Sequence, residues 1–189
     1  MTAPPTDVFE IEPSATEFAV SKRAYLESRP EASFAYIATS ALVLDNSDPA
    51  PRILLLQRAA SDSDPNKWEP PGGACDDEDS SIVYAAAREL REEAGLQAVR
   101  VGGPVGDPHF FTLSNGGIVC QFNFAVHVLG EEGTKLMVKL DPNEHQNFVW
   151  ATEDEVRAGK SGNVDLHFTR GEVERTVLSA FYHAQRGTA

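Results

Sequence analysis

The stretch Gly72-Gly73-Ala74-Cys75-Asp76-Asp77-Glu78-Asp79-Ser80-Ser81-Ile82-Val83-Tyr84-Ala85-Ala86-Ala87-Arg88-Glu89-Leu90-Arg91-Glu92-Glu93-Ala94-Gly95-Leu96 decides how the rest of the chain is read. Its second half has helical spacing. Ile82, Ala86 and Leu90 recur at i, i+4 and i+8 and form an apolar stripe. Ser80 or Ser81 can cap the helix start, with Asp76, Asp77, Glu78 and Asp79 near its positive end. Gly95 can end it in the left-handed conformation. Each helical residue advances about 100°, so Glu89, Glu92 and Glu93 fall within an arc of roughly 100°. Like charges at that spacing repel. A helix that gathers these acids needs a positive partner, and a hard divalent cation, which prefers oxygen donors, is the simplest one.

Upstream, Lys67-Trp68-Glu69-Pro70-Pro71-Gly72-Gly73 reads as a rigid bend. The prolines fix φ and the glycines permit close backbone approach. Trp68 suits an aromatic plug beneath it. Before the bend, Phe34 to Leu44 is a strand-like run, and Asp45-Asn46-Ser47-Asp48-Pro49 turns the chain. Arg52 to Arg58 is apolar enough to be a strand buried on both faces. Together these two runs read as a hairpin.

At the N-terminus, Val8 to Glu12 suggests a short edge strand and Ala15 to Ser28 a helix stopped by Pro30. Downstream, Val99 to Val105, the Asn115-Gly116-Gly117 turn and the long run Ile118 to Leu129 indicate further strands. Along the long run, Gln121, Asn123 and His127 alternate and face either solvent or a cleft. Leu136 to Leu140 and Asn147 to Ala151 read as two more strands. Thr152-Glu153-Asp154-Glu155 fits a capping box, and Thr169 to Gln185 reads as a last helix. Strands on both sides of a central helix, with a C-terminal helix, give an α/β fold: an α/β/α sandwich around a mixed β-sheet.

The 189 residues suffice for one domain with a substantial core. A net charge of −13 argues against a nucleic-acid surface, which needs a basic face. The same excess of acid repels a polyphosphate at long range unless bound cations reverse it locally. Cys75 and Cys120 cannot make a disulfide framework and suit a reducing compartment. No apolar run reaches the length of a membrane span, and Met1 to Asp7 has no secretion signal. A cytoplasmic protein with no membrane partner is the expectation.

Residues 73–96 resemble the Nudix box, G-x5-E-x7-R-E-U-x-E-E-x-G-U with U aliphatic. Arg88 to Leu96 match its second half in full. Counted back from Arg88, the box glutamate falls on Ser80 and the leading glycine on Ala74. Gly73 becomes that glycine if the loop is one residue longer. The resemblance implies a Nudix-type fold for residues 31–189, with residues 1–30 an N-terminal extension packed on it. It implies divalent-metal-dependent hydrolysis of a diphosphate linkage in a nucleoside diphosphate bonded to a group X, with Mg²⁺ or Mn²⁺ as cofactor. Glu89, Glu92, Glu93 and the Gly73 carbonyl match the family's metal ligands, and Arg88 matches the arginine that orients a glutamate. Glu92 and Glu93 are thereby also the central catalytic acids. Family members often use a downstream loop acid as base or extra ligand, and Glu144 is the candidate, with His145 its competitor. The expected partner is a small-molecule diphosphate, and a homodimer is common for the fold. Two other readings are a hydrolase of an isoprenoid-type diphosphate and a catalytically silent nucleotide-binding module. Ser80 as an N-cap, with Asp79 or Glu78 supplying charge, is expected to replace the missing glutamate.

Overall fold

A computed structural model of the chain describes residues 8–130 and 135–187. The chain opens with β1 (Glu10–Ile11), a 3-10 helix (Pro13–Phe18) and α1 (Lys22–Glu27). The strands β2 (Tyr36–Leu42), β3 (Leu44–Asp45), β4 (Arg52–Arg58), β5 (Trp68–Glu69) and β6 (Gly72–Ala74) lead into α2 (Ile82–Ala94). Then come β7 (Ala98–Pro104), β8 (His109–Thr112), β9 (Ile118–Val128), β10 (His145–Thr152) and α3 (Glu153–Ala158). The small pair β11 (Lys160–Ser161) and β12 (Val164–Asp165) precedes α4 (Gly171–Gly187).

A six-stranded sheet runs β1-β7-β9-β2-β6, with β8 also on β9. It is mixed, because β1/β7 and β2/β9 are parallel. A four-stranded sheet runs β10-β4-β3, with β5 on β4, and its pairs are antiparallel. The alternation of β4 explains the layering. Leu54 and Leu56 join the cluster that contains Ile82, Ala86 and Leu90 of α2. Ile53 and Leu55 join the opposite cluster, with Val156 of α3 and Val173, Val177 and Phe181 of α4. Both faces of the strand are thus buried, as its unbroken apolar run requires. The result is the expected α/β/α sandwich.

Several local expectations are corrected. Phe34 to Leu44 is not one strand: the chain leaves the larger sheet after Leu42 and enters the smaller one at Leu44. The hairpin is therefore β3 with β4, while β2 lies between β9 and β6. A strand buried on both faces satisfies its backbone with neighbours on both edges, and the nearest strand in sequence is not one of them here. The helix expected over Ala15 to Ser28 is broken between Phe18 and Lys22. Ser21 caps α1 by accepting from Ala24 N, and Val20 O accepts from Ile82 N at 3.0 Å. Both tasks need non-helical backbone at that point. Leu136 to Leu140 is not a strand. Lys139 N and Asp141 N donate to Ala94 O and Glu93 O of α2 at 2.8 and 3.3 Å. This segment closes the exposed carbonyls of a helix end, a task that no strand neighbour shares.

Among the described residues, no helix is long and apolar enough to cross a membrane.

Candidate active site

Helix α2 begins and ends where its sequence says. Ser81 accepts from Tyr84 N, and Gly95 closes the helix at φ +68°. Ser81, not Ser80, is the cap, and Ser80 is exposed. The apolar stripe fixes the rotation of α2 against the sheets, so Glu89 and Glu93 turn inward while Glu92 stays exposed. Gly73 lies against Glu89, where an added Cβ would sit 2.7 Å from Glu89 Oε1. Gly72 approaches the backbone of β2 so closely that a Cβ would stand 2.2 Å from Thr39 O. The glycines of the bend therefore serve close approach. Trp68 is fully buried beneath the bend and donates Nε1–H to Asp165 O at 3.0 Å.

Arg88 organises the acids. Its Nη1 donates to Glu89 Oε1 at 3.0 Å and to Glu92 Oε2 at 2.9 Å. Its Nε and Nη2 grip Asp79 at 2.8 and 2.9 Å, and Nη2 also reaches Ala74 O at 2.9 Å. Asp79 is buried and accepts from Asp76 N at 2.8 Å. The hydrogen bond to Asp79 is the main cause that raises the Arg88 pKa. Asp79 thus supplies the carboxylate that the box pattern would place at residue 80.

Glu93 is almost fully buried; its Oε2 accepts from Gly72 N at 2.7 Å. Burial raises its pKa well above the carboxylate range, and the nearby Glu89 and Glu144 raise it further. Burial also pushes Glu89 up to about 7, against the opposing effect of Arg88. His145 is buried as well, and burial lowers its pKa to about 4, which keeps the imidazole neutral. Single ligand atoms of Glu93, Glu144 and His145 lie within 4.8 Å of one another. Glu144 is exposed, and its carbonyl is held by Ala59 N at 2.8 Å. These acids, His145, Arg58 and Gly72–Ala74 line a cleft of about 330 Å³. All the sequence-selected residues, Gly73, Arg88, Glu89, Glu92, Glu93 and Glu144, meet there.

A second cavity of about 830 Å³ shares Arg58 and Gly72–Ala74 with that cleft. Its hydrogen-bonded wall comes from the alternating polar positions of β9. Asn123 Oδ1 accepts from Ser40 Oγ at 2.6 Å and from Gln121 Nε2 at 3.1 Å. His109 Nε2 lies 2.7 Å from Thr176 Oγ1. Arg170 donates to Gln121 Oε1 at 3.2 Å, with its guanidinium 4.3 Å from the centre of the Phe111 ring. His127, the third polar position of β9, is instead exposed beside Arg100. Cys75 borders the cavity, but burial pushes its thiol up to about 11, so it is a packed side chain and not a nucleophile.

Sequence reasoning missed two cations. Arg58 donates to Asp62 Oδ1 at 2.6 Å and pairs with Glu69. Lys22 donates to Cys75 O at 2.8 Å and pairs with Asp77 at 2.8 Å. Arg58 ends a strand otherwise explained by its core residues. Lys22 lies more than fifty positions from the loop it grips, so neither carried a local signal.

A capped acidic helix that opens onto a large cavity within an α/β/α sandwich is the arrangement that the box resemblance implies. Comparison with known proteins agrees: the NUDIX domain model matches residues 36–170. The chain belongs to the Nudix family and is a Nudix-type pyrophosphohydrolase. No curated protein is similar enough in sequence to match. Among solved structures, the MutT protein from Methanosarcina mazei Go1 is 23% identical, with TM-score 0.54 over 81% of this chain and 94% of its own. A C. elegans Ap4A hydrolase, solved as a binary complex, is 20% identical, with TM-score 0.59 over 81% and 99%. The NUDIX domain of Shewanella oneidensis NrtR, complexed with ADP ribose, is 14% identical, with TM-score 0.57 over 87% and 99%. At these identities the likeness is one of fold.

Proposed function

We propose that this enzyme hydrolyses a diphosphate linkage in a nucleoside diphosphate bonded to a further group X, with Mg²⁺ or Mn²⁺ as its cofactor. The junction of the two clefts carries the reading, because Arg58 and Gly72–Ala74 line both. A diphosphate lying across that junction sets its phosphates against the acidic cleft and X in the larger cavity. Glu89, Glu92 and Glu93, with the Gly73 carbonyl, are the donors for the ion. They fit it chemically, because oxygen donors suit these ions, and the buried carboxyls of Glu89 and Glu93 are short of positive charge. When bound, the ion neutralises phosphate charge and lowers the pKa of bound water.

The chain's own residues do the rest. Arg88 holds Glu89 and Glu92 in one orientation. Arg58, fixed by Asp62 and Glu69, holds a guanidinium at the junction as a hydrogen-bond donor for phosphate oxygens. As the water oxygen bonds to one phosphorus, the bridging P–O bond breaks and Glu144 takes the water's proton. The products are a nucleoside monophosphate and phosphorylated X. The hydrogen-bonding wall of Ser40, Gln121, Asn123, His109 and Thr176 offers partners to a polar X, while Tyr36, Ile37, Phe111, Leu113 and Val119 line the rest of the cavity. The Ap4A hydrolase and the ADP-ribose complex among the structural neighbours support a nucleotide substrate. Residues 8–30 form an extension that contributes Lys22 to the rim.

The test is a panel of nucleoside diphosphate sugars, dinucleoside polyphosphates, NADH, ADP-ribose and prenyl diphosphates with Mg²⁺ or Mn²⁺. Turnover of at least one nucleotide is expected and is lost in a Glu92→Gln, Glu93→Gln double variant that retains its fold. Turnover of prenyl diphosphates alone, or of nothing, refutes the reading.

A further inference from the structure

We propose that His145 is a nitrogen ligand to the divalent ion, so that this site prefers Mn²⁺ or a similar transition ion to Mg²⁺. The inference rests on the metal-dependent reading above and narrows it to a donor and an ion class.

His145 is 3% exposed, and its Nδ1 is buried without a hydrogen-bond partner among the described residues. A buried polar atom left unpaired is costly and is rare in native proteins. Its neighbour is Glu93 Oε1 at 3.9 Å. That distance is too long for a hydrogen bond. It suits two donors of one ion. Ligand atoms each about 2.1–2.2 Å from a common ion lie roughly 3.0 Å apart at a right angle and about 4.3 Å apart when opposite. Glu93 Oε2 is already occupied by Gly72 N, so Oε1 is the oxygen left to face His145. The Glu144 carboxylate lies within 4.8 Å of both, where it can act as base on a water beside the ion.

The fold aims the ring deliberately. His145 is the first residue of β10, pairs with Arg58 of β4, and is followed by a register shift before Asn147. Such irregularities re-aim side chains next to functional clefts. Its N–H donates to Asp141 O at 2.9 Å, and Asp141 N donates in turn to Glu93 O of α2. The backbone thereby ties His145 to the helix that carries Glu93. Mg²⁺ takes oxygen donors in near-ideal octahedral geometry, whereas imidazole suits first-row transition ions, Mn²⁺ most weakly and Fe²⁺ to Zn²⁺ more strongly in the Irving–Williams order. A nitrogen donor at this position therefore selects between the cations.

The experiment uses the full chain loaded with Mn²⁺ and pulsed electron paramagnetic resonance. The wild type is expected to show nitrogen modulation from a directly bound imidazole, which changes to the ¹⁵N pattern when histidine alone is ¹⁵N-labelled. His145→Gln is expected to lose that modulation and to bind Mn²⁺ about tenfold more weakly, with Mg²⁺ affinity changed by less than about threefold. The labelled wild type decides the matter even if the variant does not fold. Mn²⁺ bound without histidine modulation overturns the inference and leaves the metal-dependent reading standing. No Mn²⁺ binding by the wild type overturns both.

Discussion

Replacing Asp79 by alanine is expected to damage both stability and activity, whereas Ser80→Ala is expected to do neither. The box pattern points at residue 80, so the pair of variants separates local alignment from tertiary contact. Asp79 accepts two hydrogen bonds from Arg88 at 2.8 and 2.9 Å and one from Asp76 N at 2.8 Å. Its side chain is 3% exposed and that of Arg88 is 15% exposed. Removing one partner of a buried pair typically costs about 3–5 kcal/mol. Arg88 keeps Glu89, Glu92 and Ala74 O, so the lower end, about 3 kcal/mol, applies here. For a chain of this size that lowers Tm by about 6–12 °C. Arg88 is also free to swing, which loosens Glu89 and Glu92 and lowers kcat by about tenfold. Ser80 is exposed and makes no cap, so its truncation stays within about 0.5 kcal/mol. Urea titration followed by the fluorescence of Trp68 and Trp150 measures the stability difference, and turnover is measured in parallel. An Asp79→Ala protein within 0.5 kcal/mol of wild type, or a Ser80→Ala protein that loses more than it, refutes the reasoning.

The remaining predictions concern pH and the N-terminal segment. In the metal-free protein, burial raises Glu89 from 4.5 to about 7. Between those values the folded state holds this proton and the unfolded state does not. Its contribution to stability is therefore lost as pH rises through that window and stays lost above it. An ion must displace the same proton, so Mn²⁺ affinity is expected to fall as pH drops below about 7. Thermal unfolding of the metal-free protein against pH, and calorimetric titration in buffers of different ionisation enthalpy, check both statements. A Mn²⁺ affinity constant from pH 5 to 8 contradicts them. Lys22→Met is expected to release Cys75 O and Asp77 and so to lower kcat/KM several-fold. Because Asp77 is largely exposed, solvent screens the salt bridge and it adds little to stability. Steady-state kinetics beside a melting curve tests this, with Lys22→Arg expected to restore activity. An unchanged kcat/KM in Lys22→Met refutes the role.

What the sequence determined by itself is local in its physics. The spacing of Ile82, Ala86 and Leu90, a serine cap, Gly95 and the carboxylates of Glu89, Glu92 and Glu93 interact within about one helical turn of one another. The Thr152–Glu155 capping box and the two-sided burial of Arg52 to Arg58 are legible for the same reason. The box resemblance added Arg88, Gly73 and Glu144, and all of them reach one cleft. What only the tertiary structure decided is which distant surfaces meet. β2 takes β9 and β6 as neighbours and leaves β4 to the other sheet. Asp79 rather than Ser80 faces Arg88, because the loop of residues 75–79 folds back over the helix while Ala74 and Cys75 are held by Arg88 and Lys22. Leu136 to Leu140 has the pattern of a strand but closes the end of α2 instead. His145 gains its meaning from Glu93, more than fifty residues away, across a register shift in β10. Periodicity and capping report the energy of neighbours along the chain. Contacts between distant residues depend on which packing buries the most apolar surface with every backbone group paired, and no short window of residues records that choice.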